Sequence, residues 1–320
     1  MLIPVLWFCL GLVLLIKGGD WFVDGAAGIA KRFRVPEILI GATVVSIGTT
    51  LPEVMVSATS ALGGHGEIAY GNAIGSVICN TALIAALTAA VRPGKVEKES
   101  LKVPVLFFFT AALFYSAVAY TRGFFSRMTG IILLAIFVLY MVLTVRSAVR
   151  SSGKAEEGGE TEEQPLAKLL ALLVIGAALI AWGANLLVDN GTLIASALGV
   201  PESVIALTFV ALGTSLPELV TAITSLAKGH SALSLGNVIG ANLFNLVLVS
   251  GLSTALAPFS VPVSKTIMGI NASLVMDIPV MLAVMALLTL PALRRGRLFR
   301  WQGVTLLCIY AAFCLFQFFL

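Results

Sequence analysis

Gly48–Glu53 reads GTTLPE, and 165 residues later Gly213–Glu218 reads GTSLPE. The same offset pairs the surrounding sequence. Val23–Asp24 maps to Val188–Asp189, Pro36–Glu37 to Pro201–Glu202, and Gly64–His65 to Gly229–His230. GNAIGSVICN (Gly71 to Asn80) maps to GNVIGANLFN (Gly236 to Asn245). From Pro36 to Asn80, 19 of 45 positions are identical to their partners without a gap. Apolar sequence matched by chance does not keep Pro, Glu, Asn and Gly in register. The chain is an internal duplication.

The solvent for this duplication is lipid. The 320 residues are 59% hydrophobic and 11% charged, with a mean hydropathy of +1.03. A soluble domain carries about 25% charged residues, so too few polar groups remain here to cover a surface in water. A spanning helix takes ~20 apolar residues. The sequence predicts ten spans, at 2–24, 36–62, 68–91, 103–120, 127–149, 166–189, 201–227, 233–256, 267–291 and 299–320. The runs are continuously apolar rather than alternating, which selects helices over a barrel. Residues 1–16 lack a basic start and a small-residue cleavage site and read as part of the first span.

Each half then carries five spans. Five is odd, so the second half enters the membrane from the opposite side. The expected fold is all-α, ten transmembrane helices arranged as two inverted five-helix repeats. The expected units are residues 1–149, a linker at 150–165, and residues 166–320, with the core repeats at about 36–91 and 201–256. The linker reads SSGKAEEGGETEEQ after Arg150, a composition that solvates rather than packs.

Lys and Arg mark the cytoplasmic side. With the N-terminus outside, sixteen of the twenty fall on inside loops, including Lys31, Arg32, Arg34, Arg92, Lys95 and Arg294 to Arg300. Only Arg122, Arg127 and Lys265 fall outside. Both termini are therefore expected to be extracellular. The net charge of +4 belongs to these loops and implies no nucleic-acid partner. Cys9, Cys79, Cys308 and Cys314 lie in apolar spans without metal-ligand spacing. No catalytic triad or phosphate-cradling loop is present, which argues against an enzyme.

Glu53 and Glu218 lie deep inside spans two and seven. A charge at membrane depth costs about 2.5–3.5 kcal/mol on insertion scales, so each needs a proton or a cation. The neighbours favour cations. Pro52 and Pro217 lack an N–H and disturb the preceding turn, which is expected to free backbone oxygens near Gly48–Thr49 and Gly213–Thr214. Thr49, Thr50, Thr214 and Ser215 add hydroxyls. Asn80 and Asn245 add amide oxygens from the GNxIG helices, and Ser76 shares a face with Asn80. An all-oxygen set suits hard cations such as Ca²⁺ and Na⁺. Asn72 and Asn237 are expected to cap or bond helix ends, and His65 and His230 to lie at the surface or act as caps. Asp24 and Asp189 are expected to cap or bridge helices, and Asp277 to be hydrogen-bonded or protonated in packing.

GTTLPE with GNAIGSVICN, and GTSLPE with GNVIGANLFN, resemble the two alpha-repeats of the sodium/calcium exchanger branch of the calcium/cation antiporter superfamily, in its microbial, potassium-independent form. Proton/calcium exchangers of that superfamily usually carry GNxPE-type motifs instead. The resemblance implies a Na⁺/Ca²⁺ antiporter in a prokaryotic cell membrane, with no cofactor and no partner beyond its ions and the lipid bilayer. It implies Ca²⁺ ligands at Glu53, Glu218, Thr49 and Thr214. Flanking Na⁺ sites would use Ser76, Thr214, Ser215, Glu53 and the carbonyl of Ala211 on one side, and Thr49, Thr50, Glu218 and the carbonyl of Ser46 on the other. Asn80 and Asn245 would line the centre. It also implies alternating access, with spans one and six sliding past the remaining eight. Two positions depart from the family. Ala241 stands where a serine is frequent, and Asn245 replaces an aspartate typical of potassium-dependent members. Charge arithmetic supports antiport, because one Ca²⁺ or two Na⁺ neutralise the same two carboxylates. A proton/Ca²⁺ antiporter using the same two glutamates is the rival reading.

Overall fold

The computed structural model describes residues 2–152, 164–197, 213, 215–263, 266–267 and 269–319. Among the described residues ten helices follow in chain order: α1 (Leu2–Arg32), α2 (Glu37–Leu62), α3 (Gly66–Val91), α4 (Lys98–Arg122), α5 (Arg127–Ser152), α6 (Leu166–Ala197), α7 (Leu216–Ala227), α8 (Ser231–Leu256), α9 (Ser273–Arg295) and α10 (Arg300–Phe319). Eight of them are long and apolar enough to cross a bilayer, and α7 is a shorter apolar helix.

The molecule is sorted inside out. Large apolar side chains such as Leu2, Ile3, Leu6, Val13 and Ile16 on α1 are exposed. The polar residues Glu53, Ser57, Asn80, Glu218 and Asn245 are completely buried. Lipid accepts the first set, and only other protein groups or ions can satisfy the second. Helix α8 is the hub: 89% of its most apolar stretch is buried, against 22% for α1 and for α6. It packs against α2, α3, α4 and α7. Helices α1 and α6 pack along each other at the edge of this core.

The α1–α6 seam displays the symmetry directly. A Cβ on Gly11 would lie 2.9 Å from the Gly183 carbonyl oxygen, and one on Gly183 would lie 2.8 Å from the Gly11 oxygen. Gly18 and Gly176 make the same reciprocal approach, 2.9 and 2.8 Å. The repeat offset carries Gly11 onto Gly176 and Gly18 onto Gly183. The two contacts are thus exchanged by the pseudo-two-fold axis between the helices. The small-residue seam lets the backbones touch, as in other membrane helix pairs.

Helix boundaries differ from expectation for identifiable reasons. Helix α1 continues through Arg32, and α4 begins at Lys98, so both project beyond their apolar cores. Helix α9 begins at Ser273, not at 267. The preceding chain forms short ribbons instead: β1 (Phe124–Phe125) pairs antiparallel with β2 (Phe259–Ser260), and β3 (Thr266–Ile267) with β4 (Ile270–Asn271). The start of the span expected at 201–227 lies outside the described residues; its continuous described part is a turn at Ser215 followed by α7, with Pro217 in the first turn. Proline is suited there because the missing N–H would have no partner.

Candidate functional site

Three helices that pass the centre contain a wide π-turn: Gly41–Val45 in α2, Asn80–Ala85 in α3 and Asn245–Val249 in α8. Such turns cluster at functional sites because they displace side chains and carbonyls from the regular ladder. The turns at Asn80 and Asn245 are repeat-equivalent, and each opens on the asparagine expected at the centre. Two of the displaced carbonyls are held by a serine five residues on. Ser46 donates to Gly41 O at 2.7 Å, and Ser250 donates to Asn245 O at 3.1 Å.

Glu53 and Glu218 are both 0% exposed and electrostatically adjacent. Neither carboxylate has a hydrogen-bond partner among the described residues. The same holds for the Thr50 hydroxyl and for both polar atoms of Asn80 and of Asn245, all completely buried. Thr49 and Thr50, from the first half, neighbour the Glu218 carboxylate of the second. Ser76 and Ser215 are buried, at 4% and 3% exposure. Ser46 is completely buried at the foot of the α2 π-turn. Ala211 and Thr214 lie outside the described residues.

An enclosed polar group without a partner costs about 1–3 kcal/mol, and more when charged. Glu53, Glu218, Thr50, Asn80 and Asn245 each carry that cost, on elements of α2, α3, α7 and α8 that pack against one another. The arrangement is a set of hard oxygen donors pre-arranged for positive charge.

Pro52 lies inside α2, which stays helical from Ser46 to Leu62, and without an N–H it leaves the Gly48 carbonyl without its intrahelical donor. A wide turn precedes it, at Gly41–Val45. One expectation needs correction. Asn72 and Asn237 do not cap helices. Asn72 donates to Glu53 O at 3.3 Å and to Ser57 Oγ at 2.8 Å, bracing the backbone beneath the glutamate. Asn237 Oδ1 accepts from Ser46 and Thr49, each at 3.3 Å, and its carbonyl accepts from Ser46 at 2.9 Å. It ties α8 to α2 across the halves. Asn242, whose repeat partner is Val77, adds a second tie by donating to Thr81 Oγ1 at 2.7 Å.

The other singled-out residues sit away from the centre. Asp24 pairs with Lys228 at 2.7 Å, bridging α1 to the α7–α8 turn. His230 Nδ1 meets Glu37 Oε1 at 2.7 Å, while His65 precedes α3 without capping it. Gln317 donates to Asp277 Oδ1 at 2.8 Å. The four cysteines are free.

Comparison with known proteins converges on one group. The family model described as sodium/calcium exchanger protein matches residues 3–146 and 168–319. An uncharacterised membrane protein of Methanocaldococcus jannaschii is 36% identical over 97% of this chain and 96% of its own. The sodium/calcium exchanger MaX1 of Methanosarcina acetivorans is 33% identical over 97% of both chains. The structure of the sodium-calcium exchanger NCX_Mj soaked with Na⁺ and Sr²⁺ superposes with a TM-score of 0.82 at 33% identity, covering 97% of each chain. Matched from end to end in sequence and fold, the chain belongs to the sodium/calcium exchanger family, whose members are membrane transporters of cations.

Proposed function

We propose that this protein exchanges Na⁺ for Ca²⁺ across a prokaryotic cell membrane, with Glu53 and Glu218 as the shared ligands. The observation that carries this reading is the pair of completely buried, mutually adjacent carboxylates with no hydrogen-bond partner among the described residues. Two negative charges are balanced by one Ca²⁺ or by two Na⁺, so the two loads exclude each other. Thr49 and Thr214 complete the Ca²⁺ set. Ser76, Ser215 and the carbonyl of Ala211 serve a Na⁺ on one flank, and Thr50 and the carbonyl of Ser46 serve one on the other. Asn80 and Asn245 line the point between them.

The solved structures of NCX_Mj soaked with Na⁺, Ca²⁺ and Sr²⁺ support hard cations as cargo. The name of MaX1 supports Na⁺ as the coupling ion. The chain works as the repeats 1–149 and 166–320 joined by the cytoplasmic linker 150–165, with both termini outside. This orientation rests on the bias of Lys and Arg. Lys228, Arg92 and Lys98 are anchored at one end of the bundle, on Asp24, Leu226 O and Arg294 O. Helices α1 and α6 slide as a pair along the core and expose the centre to each side in turn. The glycine seam supports this, because a smooth backbone contact keeps the pair together as it moves.

The deciding experiment is uptake of radiolabelled Ca²⁺ into proteoliposomes loaded with Na⁺, with protonophore present and with or without K⁺. Uptake that requires internal Na⁺, ignores K⁺ and survives the protonophore is expected. Uptake that ignores Na⁺ and follows an imposed pH gradient would assign the same two glutamates to proton coupling.

A further inference from the structure

A second group of acidic and hydroxyl side chains lies on the opposite side of α3 from the centre. With ~3.6 residues per turn, Asn72, Ser76 and Asn80 share one face of α3, while Tyr70, Gly71, Ile74 and Gly75 fall on the reverse face. That reverse face borders a cavity of about 320 Å³ between α3, the start of α9 and the end of α10. Glu67, Tyr70, Ser273, Asp277 and Gln317 line it.

Three features set this cavity apart. Asp277 ends a π-turn, Ser273–Asp277, at the start of α9. Its repeat partner is Ala112, in the regular helix α4. The acid and its wide turn thus occur in one half only and are not required by the symmetric centre. An acidic residue within a span is by default a functional candidate. Second, Gln317 holds Asp277 Oδ1 at 2.8 Å and orients the carboxylate. Third, Tyr70 is 1% exposed, lines the cavity, and its hydroxyl has no partner among the described residues. Its ring is locked by Tyr115 and Phe125, with centroids 6.2 and 6.3 Å away. The hydroxyl is therefore held where it is, at the cost of an unsatisfied buried group.

We infer that Asp277, Glu67, Ser273 and Tyr70 form a second cation site that takes a partly hydrated divalent ion such as Ca²⁺. Two carboxylates and two hydroxyls are too few to strip a Ca²⁺, which takes 6–8 oxygens. The cavity has room for several waters at about 30 Å³ each to complete the shell. A monovalent ion would leave one of the two carboxylate charges uncompensated. The site lies apart from Glu53 and Glu218, so an ion there modulates or supplies the exchange centre rather than being counted in its stoichiometry.

The test uses the full chain carrying E53Q and E218Q, in which the proposed centre has lost both charges. Tb³⁺, a luminescent stand-in for Ca²⁺ that is sensitised by a nearby tyrosine, is titrated and then displaced with Ca²⁺. One saturable, Ca²⁺-displaceable site is expected. Adding E67Q weakens it at least about tenfold, no less than loss of an outer-shell partner costs a metal site. Adding D277N removes it. Adding Y70F lowers the sensitised emission while binding of radiolabelled Ca²⁺ persists at reduced affinity. Glu67 is exposed, so E67Q decides the matter even where D277N fails to fold. Absence of saturable emission from the E53Q/E218Q chain, or an affinity unmoved by E67Q, overturns the site. The proposed centre is judged separately: exchange that survives E53Q/E218Q would sink that reading and leave this titration unaffected.

Discussion

The two halves share a backbone plan and spend their side chains differently. In the first half Asn72 reaches its own α2 and bonds Ser57 and the Glu53 carbonyl. In the second, the position equivalent to Ser57 is Ala222, which offers no hydroxyl. Asn237 Nδ2 has no partner among the described residues, and the side chain bonds through its oxygen to Ser46 and Thr49 of the other half. Where Ser57 gives way to Ala222, the asparagine amide nitrogen loses its hydroxyl partner. The hydroxyl count differs as well: Ser46 faces Ala211 in the alignment, and Ser76 faces Ala241. The lesson is that duplication preserved the paired acids and the π-turns at Asn80 and Asn245 while the hydroxyls around them diverged.

The sharpest way to break this comparison is to remove either acid. Glu53→Gln and Glu218→Gln should each weaken Ca²⁺ by at least 2–3 kcal/mol, about 100-fold, measured as Na⁺-dependent Ca²⁺ uptake over a concentration series. Near-equal losses would show that the halves contribute equally; a large inequality would show that one carboxylate dominates. Next comes the seam. Gly18→Leu and Gly183→Leu each push a side chain onto backbone atoms of the partner helix, closer than 3 Å. Overpacking of this kind costs about 1–3 kcal/mol, and the two variants should lose transport to the same extent because the axis exchanges them.

The bracing residues should then separate the halves. Asn237→Ala should lower apparent ion affinity by about 1–2 kcal/mol, roughly tenfold, because it frees two hydroxyls beside the centre. Asn72→Ala should cost less affinity and more thermal stability, read by a melting curve. Equal effects on affinity would show that both asparagines support the centre alike. Ala241→Ser should restore a hydroxyl opposite Ser76 and raise Na⁺ affinity by about 0.5–1 kcal/mol, a few-fold, measured as Na⁺ competition against Ca²⁺. Smallest of all is Lys228→Gln. Its pairing with Asp24 is half exposed, such pairs contribute about 0–1 kcal/mol, and exchange should change less than twofold.

Much of the fold was legible because membrane insertion imposes strong rules. Ten apolar runs and a 165-residue offset carrying Pro, Glu, Asn and Gly in register gave the helix number and the inversion. Glu53, Glu218, Asn80 and Asn245 were legible as polar residues at membrane depth. The π-turns were not, since GATVV and NTALIA have no composition that separates a wide turn from a regular one. Asn237 and Asn242 were visible as polar residues on an apolar helix, but their partners lie on helices distant in sequence. The roles of Ser57 and Ala222 emerge only once Asn72 and Asn237 have been placed. Asp277 was visible as an acid, yet its cavity is made by α3, α9 and α10 together.

The reciprocal glycine contacts between α1 and α6 have a further consequence. In symmetry terms they are an isologous interface, in which residue i meets j and j meets i, contained within one chain. A homodimer with that interface would have to accept every mutation twice, once in each subunit. Fusion removes the obligation. One copy of a position can become alanine while its counterpart stays serine, and one copy can acquire an acid that the other never needed.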